Sequence, residues 1–213
     1  MSTLETLDVG LANELKLAFR RHGYSSEEVK RLSEGDTLGQ FRNVLLGHAE
    51  IKMLDCFRET GELTGTNAIT IPVLPRPTPK ALRSKYDWIR EKDGIEADTS
   101  PTDAVTLALG VVLRPKESSI NGQEYERRRL SLPGLLGYQQ AAWLVENQDD
   151  PKLAAFKALC GKIYIDFPGL VVVDADGRRL FPDLDELGGR WDLCWSWTGH
   201  DLDQDGRLAS SRK

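Results

Sequence analysis

The apolar residues of this 213-residue chain change period once, and that change constrains the fold more than any composition figure does. Leu4, Leu7, Leu11, Leu15 and Ala18 recur at spacings of three and four, which stacks them along one side of a helix with Phe19 beside them. From Asp103 the period becomes two: Val105, Leu107, Leu109, Val111 and Leu113 alternate with smaller or polar residues as far as Pro115, the pattern of a half-buried strand. A helical start followed by strands predicts an α+β chain: a small helical N-terminal unit, then an antiparallel sheet packed with two helices.

Stop and start signals divide the first part. Gly23 follows Arg20, Arg21 and His22, a glycine stop behind a cationic last turn. Ser25 with Glu28, and Thr37 with Gln40, have the spacing of capping boxes. The second helix would turn Val29 and Leu32 inward and end at Gly35; the third would bury Leu38, Phe41, Val44 and Leu45 and end at Gly47. Residues 1–60 thus read as a trihelical module. Residues 61–80 carry Pro72, Pro75, Pro77 and Pro79, which favours extended backbone and an interdomain linker. Residues 81–213 are expected to form the α+β domain, opening with a helix from Ala81 to Lys92.

Within that domain Asn121-Gly122 is a hairpin signal, since both residues tolerate positive φ. The strand beyond it, Gln123–Leu132, would turn Arg127 and Arg129 to one face and Arg128 to the other. Pro133-Gly134 opens a helical stretch through Trp143, and Asp150-Pro151 caps a second helix that ends at Gly161. Ile163–Phe167 and Leu170–Val173 read as strands, and Asp174–Gly177 as a turn leading back through Arg178–Phe181. Beyond Gly188-Gly189, Trp191, Leu193, Trp195 and Trp197 alternate with Asp192, Cys194 and Ser196.

Composition narrows the function classes. A formal charge of −5 with 40% apolar and 29% charged residues excludes a fibrous or wholly disordered chain and argues against coating nucleic acid along its length. Three cysteines, Cys56, Cys160 and Cys194, are odd in number and far apart, which fits buried reduced thiols. No apolar run reaches the roughly 18 residues of a bilayer span, and the N-terminus reads as no signal peptide, so a cytoplasmic protein without membrane contact is expected.

Asp201, Asp203 and Asp205 alternate ahead of Gly206 and Leu208 like the opening of a calcium loop, but Arg212 stands where a bidentate glutamate is required. A solvated acidic turn is the plainer reading, and no metal or cofactor is expected. Asp174 and Asp176 read as turn residues. His48 and Glu50 have histidine-x-glutamate spacing without the downstream cysteine pair that zinc deaminases need. No phosphate loop, nucleophile elbow or zinc-binding helix appears, so no catalytic residue is assigned. The candidate binding surface is Arg127 and Arg129 with the stripe of Trp191, Trp195 and Trp197.

Phe19, the Gly23-x-Ser25 step, Glu27-Glu28-Val29, Phe41, Val44 and Gly47 together resemble a phage-repressor helix-turn-helix, although Lys30 stands where that family packs a small residue. The resemblance implies a recognition helix from Thr37 to Leu46 with Gln40, Arg42 and Asn43 facing DNA. LANELKLAFRRHGY, GLLGYQQAAWLVE, GKIYIDFPGLVV and GGRWDLCWSWTGHDLD resemble a group of small bacterial proteins of unassigned function with a helical N-terminal and a tryptophan-rich C-terminal module. That resemblance implies a bacterial protein and carries no catalytic residue. The expectation is a non-catalytic adaptor that binds another protein through a sheet face or the arginine-bearing strand. A DNA-binding regulator is the alternative, and an enzyme without a recognisable motif the second.

Overall fold

The computed structural model describes residues 9–21, 23–32, 34, 36–48 and 57–212, and the contacts divide the chain into two units, Met1–Leu54 and Asp55–Lys213. Leu4, Leu7, His22, Gly35, Glu50 and Cys56 lie outside the described residues.

The first unit contains helices α1 (Val9–Arg21), α2 (Ser26–Leu32) and α3 (Thr37–Leu45). After α1, Gly23 takes φ +73, and the N–H groups of Gly23 and Tyr24 donate to Arg20 O and Phe19 O. These bonds satisfy carbonyls that the helix end leaves over. The start of α3 differs from expectation: Asp36 occupies the cap position without a side-chain bond, and the Thr37 hydroxyl donates backwards to Glu34 O at 3.1 Å. The expected inner side of α3 also differs, with Leu38 59% and Leu45 86% exposed and Val44 half-buried. Helices of seven and nine residues present too little facing surface to cover a full apolar stripe.

The second unit is mixed α/β, built on a large, mostly antiparallel sheet with several helices. Its strands are β1 (Arg58–Glu59), β2 (Thr70–Ile71), β3 (Ile95–Asp98), β4 (Val105–Val111), β5 (Ser119–Ile120), β6 (Tyr164–Asp166), β7 (Leu170–Val173), β8 (Arg179–Leu187), β9 (Arg190–Trp197), β10 (Leu202–Asp203) and β11 (Gly206–Arg212). Its helices are α4 (Pro79–Lys85), α5 (Gly122–Leu130), α6 (Tyr138–Glu146) and α7 (Ala154–Lys157). The main sheet runs β1-β4-β11-β6-β8-β7-β3, with β2 added on β4 and β9 on β8; β5 and β10 pair separately. Only the β11–β6 pairing is parallel among these.

Helices cover both faces of this sheet. On one face Leu136, Ala141, Leu144, Leu153 and Phe156 pack on Leu107, Leu109, Ile165, Leu184 and Trp191. On the other, Tyr125 of α5 packs with Val112, Phe181 and Leu208. The stretch 61–80 is part of this core and not a free linker: Leu63, Ile69 and Ile71 are buried, and β2 pairs Thr70 and Ile71 with Thr106 and Val105. Proline permits this because Pro72 lies just past β2, and Pro79 opens α4, where a missing N–H costs nothing and Thr78 Oγ1 accepts the Ala81 N–H at 3.1 Å. α4 ends at Lys85, short of the expected Lys92.

The Asn121-Gly122 hairpin is overturned. Asn121 caps α5, its Oδ1 accepting the Glu124 N–H at 3.0 Å, and Gly122 N–H donates to Asp201 Oδ1 at 3.1 Å. An asparagine serves a helix N-cap as readily as a turn, and here the cap satisfies donors that would otherwise be left over. The polar segment that follows the acidic turn at Asp201–Asp205 forms β11 between β4 and β6.

Candidate functional site

The β8–β9 hairpin turns at Gly188 and Gly189, whose φ of +64 and +80 only glycine adopts without strain. Eight residue pairs, from Leu180 opposite Trp197 to Leu187 opposite Arg190, set its register. Paired residues share a face, so Leu180, Pro182, Leu184 and Glu186 lie with Trp197, Trp195, Leu193 and Trp191. Phe181, Asp183 and Asp185 lie with Ser196, Cys194 and Asp192 on the other face.

The tryptophan stripe divides into three environments. Trp191 is 2% exposed, stacks on Phe156 with ring centroids 5.1 Å apart, and donates its Nε1–H to Phe156 O at 3.1 Å. It is core. Trp195 is half-buried among Tyr86, Trp88 and Tyr138 at centroid distances of 5.2, 5.3 and 6.0 Å. Trp197 is 56% exposed.

The outer edge of β9 pairs with no further strand among the described residues. Pro182, opposite Trp195, has no N–H, and its carbonyl accepts the Phe167 N–H at 2.8 Å on the far side. That pair exchanges no hydrogen bond across the hairpin, so the peptide groups of Trp195, and by alternation those of Trp191, Leu193 and Trp197, point outward. Side chains and a turn close the two ends of this edge. Gln148 Oε1 accepts the Trp191 N–H at 2.9 Å and its Nε2 donates to Trp191 O at 3.0 Å, as one residue of another strand would. Trp197 O accepts the His200 N–H at 3.0 Å, with His200 Nδ1 2.8 Å from the same oxygen. Between these ends the N–H and C=O groups of Leu193 and Trp195 and the Trp197 N–H have no partner among the described residues.

Behind this edge lies an acidic row. Asp166 of β6 pairs with Asp183 of β8, which pairs with Cys194 of β9. Asp166 is fully buried, accepts a hydrogen bond from the Tyr125 hydroxyl, and has His200 Nε2 at 3.6 Å. Burial pushes its carboxyl up to about 7 against the pull of Tyr125 and Arg129. Asp183 is likewise raised to about 7, first by burial and then by Asp166. Burial and the neighbouring carboxylates raise the Cys194 thiol to about 11, which leaves it a poor nucleophile at neutral pH. The row can hold protons near neutrality, but α5 covers it through Tyr125, so contact with a substrate would require that helix to move.

The arginine run is engaged internally. In α5 rather than a strand, Arg127 points outward and is clamped by both oxygens of Glu124 at 2.7 Å. Arg128 and Arg129 are 2% and 1% exposed. Arg128 bonds Glu124, Glu117 and Val112 O, and Arg129 lies over the Phe181 ring at 5.4 Å. Helical geometry turns the second and third arginines inward, so Arg127 and Arg129 share no face.

Of the remaining sequence candidates, Asp201 holds the Gly122 N–H, and Asp203 accepts the Asp205 N–H at 3.0 Å within the β10–β11 turn. No group of three or more His, Cys, Asp or Glu among the described residues is placed to hold a metal ion. Asp174 accepts the N–H groups of Asp176 and Arg178, which makes Asp174–Gly177 the turn expected of it. Arg42 and Asn43 are exposed on α3; of Gln40 only the helical backbone is described, and His48 is exposed beyond that helix. Cys160 and Cys194 are free and half-buried. No helix among the described residues is long and apolar enough to cross a membrane.

Sequence reading identified the tryptophan stripe but missed the open edge, whose signal was Pro182 inside a strand opposite an aromatic residue. It also missed Asp166 with Asp183, which only the pairing of β6 with β8 brings together. Comparison with protein-family models, with curated proteins and with solved structures returns no match.

Proposed function

We propose that this chain is a non-catalytic binding protein that takes up an extended segment of a partner protein as an additional strand on β9. The observation that carries this reading is the set of outward peptide groups, both groups of Leu193 and Trp195 and the Trp197 N–H, that have no partner among the described residues and are bounded by Gln148 and His200. Such an edge is a template for strand addition, in which main-chain bonds supply affinity and alternate side chains supply specificity. The flanking faces define the partner's chemistry. Trp195 and Trp197 line one face, while Asp185 and Asp192 are exposed on the other. A complementary strand therefore alternates apolar with basic residues. In this reading the helices of the first unit form a separate N-terminal module.

Amide hydrogen exchange tests the proposal. In the free protein the amides of Leu193, Trp195 and Trp197 should exchange quickly, while those of Asp192, Cys194 and Ser196, bonded across the hairpin, are protected. A short synthetic peptide alternating lysine and valine should protect the first three. Slow exchange of those amides in the free protein, or no protection at saturating peptide, refutes the reading.

A further inference from the structure

A cleft of about 420 Å³ opens away from β9, between β1, the turn after β4 and the β10–β11 turn. Arg58, Arg114, Lys116, Arg207, Glu117 and Gln204 line it above an apolar floor of Val111 and Leu113. In a chain of formal charge −5, four cations against one carboxylate is a local reversal of sign. The carboxylate is already engaged: Arg128 bonds both Glu117 oxygens from beneath, at 2.5 and 2.8 Å, holding that carboxyl down to about 2. Arg207 is matched by Glu62 at 3.0 Å. The side chains of Arg58, Arg114 and Lys116 form no hydrogen bond or ion pair among the described residues, and all three are exposed.

Backbone geometry gathers these cations. Lys116 takes φ +77, which folds the chain back so that Glu117 N–H donates to Arg114 O at 3.1 Å and Arg114 N–H to Glu117 Oε2 at 2.7 Å. Arg58 arrives from the neighbouring strand, opposite Val111. Two planar guanidinium groups and an ammonium converge on one space whose volume falls within the roughly 300–1,000 Å³ of small-molecule sites.

We propose that this cleft binds a small molecule bearing a di- or triphosphate group. Arg58 and Arg114 would offer forked donors to phosphate oxygens, Lys116 a point charge, and Gln204 a neutral amide at the rim. Three unmatched cations suit a polyphosphate better than a single carboxylate. Their convergence in a cleft, rather than along an extended face, suits a small molecule better than a nucleic acid strand.

Calorimetric titration of the full chain with inorganic pyrophosphate and with ADP, at low and moderate salt, tests this. Saturable binding that weakens as salt rises is expected, because the three cations are exposed and screened. Arg114→Ala with Lys116→Ala should weaken it by about tenfold or more, while Arg127→Ala, an exposed arginine on α5, leaves it unchanged. Tighter binding of ADP assigns the site to an organic phosphate ester, and equal binding to the polyphosphate alone. No saturable heat with either probe, or an affinity unaltered by the double substitution in a chain whose melting midpoint is also unaltered, overturns the proposal. Should the double variant melt early, Arg58→Ala supplies the same comparison.

Discussion

Raising the pH from about 5.5 to about 8 should destabilise the second unit, and Asp166→Asn should remove much of that loss. Asp166 carries no solvent exposure, and its carboxyl titrates in the folded protein at about 7 instead of 3.8. The folded chain thus keeps a proton that the unfolded chain has released, so this contribution is complete below about pH 4 and is lost as pH rises towards 7. Each pH unit within that window costs about 1.4 kcal/mol for one such group, so the part above pH 5.5 costs about 2 kcal/mol. Asp183, also raised to about 7, contributes a second loss of the same sign, part of it dependent on Asp166. Carboxylates shifted the other way do not mask the effect. Glu117 and Glu124 are held at about 2 by arginines, and their stabilisation is already complete above about pH 5.

Asparagine preserves an acceptor for the Tyr125 hydroxyl and cannot ionise. All five tryptophans fall within residues 88–197, so urea unfolding followed by their emission reports on the second unit. The wild type should lose at least about 2 kcal/mol between the two pH values, Asp166→Asn about half as much or less, and Asp166→Asn with Asp183→Asn almost nothing. A wild-type protein as stable at about pH 8 as at 5.5, or an Asp166→Asn slope equal to the wild type's, refutes the reasoning.

Trp191→Ala should cost about 3–5 kcal/mol by urea denaturation monitored with circular dichroism, whereas Trp197→Ala should stay within about 0.5 kcal/mol; equal effects would contradict the division of the stripe into core and surface. Gly122→Ala sets two effects against each other. Helix propensity alone favours alanine by about 0.5–1 kcal/mol, but the added Cβ would stand 2.0 Å from Gly199 O, a backbone atom. A lowered melting midpoint is expected, and a raised one would show that α5 and the Gly199 segment separate readily.

How far the fold could be read along the chain depended on how local each cause was. Alternation marked β4 and β9, a short apolar run marked β7, and Asp150 with Pro151 marked the helical turn they cap, because burial and a cap both act within a few residues. The arginine run shows where local reasoning ends. Arg127, Arg128 and Arg129 fit an edge strand as well as a helix, and the choice rested on Asn121 and on Asp201, which lies 79 positions from the glycine whose N–H it accepts. The polar segment of β11 had no apolar pattern to announce it; two neighbouring strands make it central. Sequence by itself determined the mixture of helices with a largely antiparallel sheet, the glycine turn between β8 and β9 and the alternation of the tryptophan stripe. Tertiary structure alone decided which tryptophan is core, that two aspartates lie side by side in a buried row, that the outer edge of β9 pairs with no strand among the described residues and that three cations line one cleft. Each of these depends on which strand lies beside which, and that is fixed by contacts between residues far apart in the chain.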